Sequence, residues 1–272
     1  MPLAPAEMEA LQTLLRRRTG YALTTERGYL AENRLAPLAR REGMSSGAQL
    51  VEQLETLRPS LSWEVVEAML PVDSHFFRER EPFRVLEALL PALAAARPGG
   101  AVRVLSAGCA SGQEAWSVAM LAAEAGLAGV QVDGIDLSVR ALEKAKSGVY
   151  TQFEVQRGLR ARQLIAWFEP MEEQWRVRDA LRHQVRFDRG NLLDGFEGRG
   201  TYDLILCRHV LGDMTPEARR RVLAGLDAAL ARDGCLFLGA REHLSEALQA
   251  FRPVAGKAGL YVKNPAPVRQ AA

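Results

Sequence analysis

The sequence has little cysteine and no long apolar run. The first argues against a disulfide-rich secreted protein, and the second against a membrane-spanning one. None of the three cysteines, Cys109, Cys207 and Cys235, shares a CxxC spacing with another. We therefore interpret them as reduced, partly buried thiols of the kind found in cytosolic proteins. No apolar stretch reaches the length of about 20 residues that spans a membrane, and the first residues do not resemble a signal peptide. These shortages predict a cytoplasmic protein without direct membrane insertion.

Strong net charge and several catalytic signatures are also missing. The formal net charge is only +2, which gives no general case for binding nucleic acid, although arginines cluster locally. The four histidines show no HxxxH or similar spacing, so we predict no metal site. The chain also lacks a GxSxG nucleophile elbow, a GxGxxG turn and a P-loop lysine. Cys207 precedes Arg208 and His209, but we interpret this tripeptide as the end of a strand rather than as a thiol nucleophile.

What the sequence does contain is a strand, a glycine turn and a helix in the stretch VRVLSAGCASGQE, residues 102–114. Its apolar start predicts a buried strand, and Gly108 opens a small-residue turn where backbone can approach a ligand. Such a unit begins an open α/β sheet, in which ligands bind at the carboxyl ends of the strands. A second strand ends about twenty residues later in Asp136, where an acidic side chain can bind the ribose of a nucleoside. The alternative is a plain strand-to-helix turn in which Asp136 only stabilises the next helix.

The charges around this turn indicate which nucleoside it suits. Glu114 opens the helix behind the turn, and its carboxylate would repel a phosphate. Because Asp136 adds a second carboxylate and no P-loop lysine is present, the site favours a cationic or neutral nucleoside, such as the sulfonium S-adenosylmethionine. Asn191 follows a third strand, where its amide can either read the edge of a base or form an Asx turn.

The pattern of apolar residues divides the chain into three parts. Residues 1–72 follow helical spacing and predict a small all-helical domain. Its arginines form either a solvated face or a docking face for an acidic partner; they include Arg27, Arg34, Arg40 and Arg41. Residues 73–98 form a linker and a connecting helix. Residues 99–272 alternate between strands at 101–107, 130–135, 185–189, 202–207, 233–239 and 260–263 and helices at 113–126, 138–147 and 216–231, with a small inserted subdomain within 150–184.

The linker contains paired phenylalanines, Phe76 and Phe77, between Ser74 and Arg78. Exposed phenylalanine is unfavourable, so we predict that both rings pack onto the following domain. This packing would hold Ser74 and Arg78 at the domain boundary, where clefts commonly form.

Seven segments, in order, resemble the CheR family of chemotaxis-receptor methyltransferases. TGYALTTERGYLAENRLAPLARR matches the family's amino-terminal helical domain, and DSHFFRE resembles its TxFFRD/E segment. SAGCASGQEAWSVAM is similar to its cofactor turn, and IDLSVRALEKAKSGVY resembles its ribose-binding segment. VRFDRGNLLD, YDLILCRHV and DGCLFLGAREHL match three later segments. The resemblance therefore covers nearly the whole chain.

The resemblance implies a fold, a reaction and a set of site residues. The fold is α/β: a Rossmann-like methyltransferase sheet with a small antiparallel β subdomain at about 168–188, preceded by the helical domain. The reaction moves a methyl group from S-adenosylmethionine to glutamate side chains of chemoreceptors (methyl-accepting chemotaxis proteins), leaving S-adenosylhomocysteine. The implied cofactor contacts are Ser74, Arg78, Gly108, Glu114, Asp136, Asn191, Leu192, Cys207 and His209. Arg78 is also the implied catalytic residue, because its guanidinium would orient the substrate carboxylate.

The resemblance also implies partners. We expect the cytoplasmic domain of a chemoreceptor as substrate, no nucleic acid, and a monomeric enzyme. In some members the β subdomain binds a pentapeptide at the receptor's carboxyl terminus. The turn between Phe168 and Trp175 is short, as in members that work without that tether. A general base is not required, because free glutamate, with a pKa of about 4.3, is ionised near neutral pH.

The chain departs from the family on the substrate side. Where the family has CRNVxxYF, His209 replaces Asn, Asp213 replaces Tyr and Met214 replaces Phe. An Asp there would repel a substrate glutamate unless it turns away or is protonated. One alternative is therefore a CheR-like signalling module that binds the cofactor with little or no methyl transfer. Another is a methyltransferase for a nucleic acid or small molecule, although the chain has CRHV where amino-nucleobase enzymes commonly carry [DNS]PP[YF].

Overall fold

The first part of the chain is all-helical in the computed structural model, which describes residues 3–244 and 250–264. Its helices are α1 (Pro5–Thr19), α2 (Tyr29–Arg41), α3 (Gly47–Glu52) and α4 (Pro59–Met69), with a 3₁₀ turn at Thr25–Arg27. They bury an apolar core of their own, to which Leu11, Leu15 and Leu35 contribute with no exposed surface. The segments 1–2, 245–249 and 265–272, which the predicted domains include, lie outside the described residues.

The rest of the chain alternates between helices and strands. Its helices are α5 (Glu81–Ala95), α6 (Gln113–Glu124), α7 (Val139–Ser147), α8 (Gln152–Gln156), α9 (Ala161–Trp167), α10 (Asp179–Arg182) and α11 (Pro216–Ala229). Its strands are β1 (Val102–Ala107), β2 (Val130–Asp136), β3 (Val149–Thr151), β4 (Phe168–Met171), β5 (Gln174–Val177), β6 (Val185–Arg189), β7 (Tyr202–Cys207), β8 (Leu230–Leu238), β9 (Phe251–Pro253) and β10 (Leu260–Lys263).

Seven of the strands form one mixed sheet in the order β6-β2-β1-β7-β8-β10-β9. The first five are parallel, whereas β10 runs antiparallel to β8 and to β9. Strands β1 and β7 are almost wholly buried, as expected for central strands covered on both faces. This arrangement confirms the predicted Rossmann-like sheet. Its strand order reverses between β1 and β7, which creates a crevice at their carboxyl ends.

A second, three-stranded antiparallel sheet has the order β3-β5-β4. It is the predicted small subdomain, but its extent differs from the expected residues 168–188. Strand β3 lies before that range and pairs Tyr150 with Trp175. Val185–Arg189, which the predicted range partly includes, is β6 of the large sheet and pairs with β2. A three-residue strand such as β3 or β9 is too short to show a two-residue period, so the sequence pattern did not identify either one.

The two phenylalanines of the linker pack where they were predicted to pack. Phe76 is fully buried, and its ring lies edge-on to Tyr150 at 5.0 Å and to Phe168 at 5.5 Å between centroids. Phe77 is also buried and contacts Phe83 at 5.2 Å. The linker is therefore anchored on the small subdomain and on α5, which fixes the backbone that carries the predicted site residues of this segment.

Backbone hydrogen bonds join the helical domain to the loop that follows β7. Tyr21 and Met214 form an isolated antiparallel bridge. The amide of Ala22 donates to the carbonyl of Asp213 at 2.8 Å, and the amide of Thr215 donates to the carbonyl of Gly20 at 2.8 Å. The helical domain thus covers the end of the sheet where the crevice opens. No helix in residues 3–244 or 250–264 combines the length and apolar character needed to cross a membrane.

Candidate active site

An open cleft lies between the carboxyl ends of β1, β2 and β7 and the helical domain. Both domains contribute to its walls, since Tyr21 and Asp73 face it together with the strand ends. Five of the nine predicted cofactor contacts line it: Gly108, Asp136, Asn191, Leu192 and His209.

The turn between β1 and α6 forms the floor of the cleft. Gly108 has a φ of 79°, and a Cβ built there would lie 2.5 Å from a methyl group of Val210, so only glycine fits. Ala110 also adopts a positive φ, of 47°. Its amide donates to the Asp136 carboxylate at 2.8 Å, which holds this strained turn in place.

Asp136 lines the cleft and has the structural role that the sequence offered as the alternative to ribose binding. One oxygen accepts from Ala110 and the other from the amide of Ser138 at 2.9 Å, next to the start of α7. Ser138 itself caps that helix by accepting from Ala141. A carboxylate has about four lone pairs, more than its backbone hydrogen bonds occupy here, so Asp136 can still accept from a ribose hydroxyl in the cleft. Burial raises the pKa of the Asp136 carboxyl above its ordinary value, while its backbone hydrogen bonds oppose this effect.

Asn191 adopts the alternative Asx turn and also links the two domains. Its Oδ1 accepts from the amide of Leu193 at 3.1 Å, which is the Asx turn. Its Nδ2 donates to the carbonyl of Arg18, in the last turn of α1, at 2.7 Å. The amide is therefore held in one orientation at the cleft wall, beside Leu137 and Leu192.

A buried arginine that sequence reasoning did not select lies at the centre of the site. Arg208 has a side chain only 1% exposed, directly after β7. It donates to Glu114 at 2.9 Å, to Glu79 at 2.9 Å and to the carbonyl of Arg78 at 2.6 Å. Glu114 also accepts from Ser106 at 2.7 Å. A charged residue directly after a fully buried strand was the available signal, because such a group requires partners.

This cluster gives Glu114 and Glu79 their positions. Glu114 does not line the cleft; it lies behind the turn, with its carboxylate bound to Arg208 and Ser106. Burial acts to raise the pKa of Glu79, but the hydrogen bond from Arg208, the nearby charges of His209 and Arg208 and the hydrogen bond from the Ala240 amide together outweigh it, so the pKa is lowered. Both carboxylates contribute negative potential beside the cleft.

The loop after β7 is fixed by a second carboxylate, which sequence reasoning also missed. Glu242 accepts backbone hydrogen bonds from His209 at 2.8 Å, Gly212 at 3.0 Å and Gly239 at 2.8 Å. These bonds hold His209 in the left-handed region, with φ 61°. The His209 Nε2 lies 3.3 Å from Glu79. Burial lowers the pKa of His209, and nearby Arg78 adds to the shift.

The remaining predicted contacts lie outside the cleft lining. The Cys207 side chain is fully buried within β7, and burial raises the pKa of its thiol far above the usual range. Ser74 is half-buried in the linker, next to Asp73 at the cleft edge. Arg78 donates to the carbonyl of Asp73 at 2.7 Å and lies 3.2 Å from its carboxylate. The structure therefore holds Arg78 at the edge of the site, against Asp73.

Asp213, which stands where the family has Tyr, forms an ion pair. Its carboxylate lies 2.9 Å from a guanidinium nitrogen of Arg27, which belongs to the helical domain. Arg27 also contacts the Tyr21 hydroxyl at 3.5 Å, and these two hydrogen bonds raise the pKa of its guanidinium. The charge of Asp213 is therefore compensated in place.

The side chains of the cleft fit an S-adenosyl nucleoside. Asp136 offers free lone pairs, Leu137 and Leu192 supply apolar walls, and the carboxylates of the Arg208 cluster favour a cation over a phosphate. The described part of the chain brings together no group of three or more His, Cys, Asp or Glu side chains able to hold a metal ion.

Comparison with known proteins agrees with this geometry. Residues 73–260 match the CheR methyltransferase SAM binding domain, and residues 6–70 match the CheR methyltransferase all-alpha domain. Chemotaxis protein methyltransferase 1 of Pseudomonas aeruginosa is 35% identical over 254 residues, which cover 90% of this chain and 93% of that protein. Chemotaxis protein methyltransferase Cher2 of Pseudomonas putida is 32% identical over 249 residues, covering 88% and 90%.

A third relative has a different name. The probable biofilm formation methyltransferase WspC of Pseudomonas aeruginosa is 33% identical over 189 residues, which cover 65% of this chain and 43% of that protein. Family matches to both domains, and relatives that align along nearly the full chain, settle the assignment. The chain belongs to the CheR family of chemotaxis methyltransferases, and S-adenosylmethionine is its methyl donor.

Proposed function

We propose that this protein methylates glutamate side chains in the cytoplasmic domains of chemoreceptors, giving glutamate methyl esters for sensory adaptation in the cytoplasm. The observation that carries the proposal is the ion pair between Arg27 and Asp213. Without Arg27, the cleft would present a free carboxylate to an anionic substrate. Because Arg27 is present, the negative charge of Asp213 is compensated within the same chain, and Asp213 no longer argues against glutamate as the acceptor.

The reaction requires positioning more than proton transfer. When bound, S-adenosylmethionine supplies an electrophilic methyl group on a sulfonium. Asp136 and Asn191 would hold the nucleoside, and the helical domain would close the cleft against water. An ionised glutamate needs no base, which agrees with a site whose one lining histidine has a lowered pKa. Alignment of two bound groups can lower a barrier by about 7–11 kcal/mol.

Arg78 is the residue we propose to orient the acceptor carboxylate. Its present partner is Asp73, whose side chain is 54% exposed, while the Arg78 side chain is 24% exposed. Ion pairs that are open to solvent contribute only about 0–1 kcal/mol, so a substrate carboxylate can displace Asp73. We expect Arg78→Ala to lower turnover strongly in a protein that stays folded. Unchanged turnover would show that Arg78 does not have this role.

We also propose that the enzyme works without a carboxyl-terminal receptor tether. Strands β4 and β5 are joined by only Glu172 and Glu173, and Glu172 takes a φ of 47° to make this tight turn. A turn of this length offers little surface for a tethered peptide. Receptor fragments with and without their last five residues should therefore be methylated with the same KM. A large rise in KM for the shortened fragment would contradict this part of the proposal.

The decisive experiment is transfer of labelled methyl from S-adenosylmethionine to receptor cytoplasmic fragments of the same bacterium. The product should release labelled methanol under mild base, as a carboxyl methyl ester does. Normal cofactor binding by calorimetry without any label would favour a signalling module that binds the cofactor but does not transfer methyl. Label that survives mild base would mean a different acceptor group.

A further inference from the structure

Most arginines that were predicted as a docking face of the helical domain already have partners inside the protein. Arg27 pairs with Asp213, and Arg34 donates to the carbonyl of Met69 at 2.7 Å. Arg41 pairs with Glu42 and Glu64. Within the described residues, Arg40 is the member of that set whose side chain is exposed and forms no hydrogen bond or ion pair. These residues therefore stabilise the domain and its junction, and a surface for an acidic partner has to be sought elsewhere.

Cationic side chains, most of them without carboxylate partners, cluster in a groove between the end of α1, the end of β6 and the start of α11. We call it the junction groove and define it by Arg16, Arg17, Arg18, Arg189 and Arg221. Only two acidic residues line it: Asp194, and Glu217, which lies 3.6 Å from Arg220. Within the described residues, Arg16, Arg17 and Arg221 have no carboxylate at ion-pair distance. The groove is thus strongly positive in a chain whose net charge is only +2.

An aromatic side chain holds part of this charge in place. The guanidinium of Arg18 lies 5.0 Å from the centre of the Trp63 ring, and that of Arg189 lies 5.6 Å from it. Stacking on an indole orders a guanidinium without neutralising it, in contrast to a salt bridge. Arg189 has a carboxylate neighbour as well, Glu67 at 3.5 Å. Arg18 therefore presents an ordered and uncompensated positive charge.

The junction groove is continuous with the cofactor cleft. Leu137 and Asn191 line both, and Asn191 donates to the carbonyl of Arg18. A partner bound along the groove would therefore lie directly beside the entrance through which an acceptor side chain must pass. The exposed position of Arg16, Arg17 and Arg221 suits an extended surface rather than a small anion, which would need buried donors around it.

We propose that the junction groove docks an acidic surface of the receptor's cytoplasmic domain next to the glutamate to be methylated. This inference rests on the proposed function and adds the surface that selects its protein substrate. Two observations favour a protein surface over nucleic acid. The uncompensated positive charge lies in one groove that leads into the cleft, and the net charge of the whole chain is only +2, too little to follow a phosphate backbone. Opposite charges at such a surface mainly speed association and set specificity.

The test compares two arginine variants with one matched control. Arg17→Glu/Arg221→Glu reverses two exposed groove charges, whereas Arg40→Glu reverses a charge on α2 that is also exposed. We expect the double variant to raise KM for the receptor fragment about tenfold at low ionic strength, with kcat and cofactor affinity unchanged, and the effect to shrink in salt. Arg40→Glu should leave KM at the wild-type value. Because reversal at the end of α1 opposes the helix dipole, Arg17→Gln/Arg221→Gln serves as a milder variant with a smaller rise.

The outcomes separate this inference from the proposed function. If wild-type protein forms no base-labile ester on the fragment, the proposed function fails. If wild-type protein forms the ester and the groove variants keep its KM, the docking surface is wrong. A KM raised by Arg40→Glu alone would place docking on α2 instead. Wild-type protein that binds duplex DNA as tightly as the receptor fragment, in the same salt, would also overturn the assignment.

Discussion

The ion pair between Arg27 and Asp213 yields the sharpest prediction, because removal of Arg27 should damage substrate recognition while leaving the protein folded. Their side chains are 46% and 35% exposed, so the pair contributes less than about 1 kcal/mol to folding. The two domains stay joined through the backbone hydrogen bonds of Ala22 and Thr215. Arg27→Ala should therefore unfold at close to the wild-type urea concentration.

The effect on the substrate follows from Coulomb's law. Two like charges about 7 Å apart repel by about 0.6 kcal/mol at the dielectric constant of water and by about 2.4 kcal/mol at an effective value of 20. An uncompensated Asp213 should therefore raise the KM for a glutamate-bearing receptor fragment by about threefold to sixtyfold. Affinity for S-adenosylmethionine should stay unchanged, because Asp136 and Asn191 are untouched. Raising the ionic strength should reduce the effect.

A second-site variant makes the reasoning refutable. Asp213→Asn, introduced into Arg27→Ala, removes the unpaired charge and should restore KM to near the wild-type value. Arg27→Lys keeps a positive charge and should cause a much smaller defect than Arg27→Ala. The assay is steady-state transfer of labelled methyl, with calorimetry for cofactor affinity. If the double variant is as impaired as Arg27→Ala, the defect comes from lost structure or a direct Arg27 contact, and charge compensation is refuted.

Three further predictions follow from the buried parts of the site. Arg208→Met leaves Glu114 and Glu79 facing each other without their shared cation, so urea denaturation should show a loss of about 3–5 kcal/mol; a loss below about 1 kcal/mol would contradict the cluster's structural role. Gly108→Ala places a methyl 2.5 Å from Val210 at a φ of 79°, so calorimetry should show cofactor affinity lowered at least tenfold in a folded protein; retained affinity would mean that the turn relaxes freely. Burial raises the pKa values of Cys109, Cys207 and Cys235, which keeps the thiols protonated and shielded; a thiol reagent at pH 8 should leave the native protein unmodified and label all three cysteines in urea.

The large sheet was predictable because its long buried strands appear in the sequence as apolar runs, and its glycine turns appear as turn signals. Five of the six predicted strands were placed to within a residue or so at each end, because each combines an apolar run with a turn signal. Strand β8 differs most: it starts at Leu230, directly after α11, although Asp233-Gly234 marked a later start. Here sheet pairing with β7 extends the strand back through a turn-like dipeptide. Tertiary contacts thus override local preference.

The cleft was predictable in part for the same reason. Gly108 and Asp136 lie at strand ends, and strand ends of a parallel sheet meet along one edge, so local pattern was sufficient to bring them together. Arg208 and Glu242 escaped selection because their importance lies in partners that are distant in sequence. Arg208 binds Glu114 across 94 positions, and Glu242 binds His209 across 33. No spacing rule connects residues at such separations.

The proposed methyl transfer from a sulfonium to a carboxylate would set two opposite demands on one cleft, and this chain has separate groups suited to each. The cofactor side requires negative potential, which Asp136 and the two carboxylates bound to Arg208 supply. The acceptor side must not expose a carboxylate, yet Asp213 lies there. Arg27 compensates it from another domain, 186 positions away. We therefore infer that the helical domain both covers the cleft and compensates charge on the proposed acceptor side. Loss of the exposed Arg27 should then raise the KM for the receptor fragment and leave folding nearly unchanged.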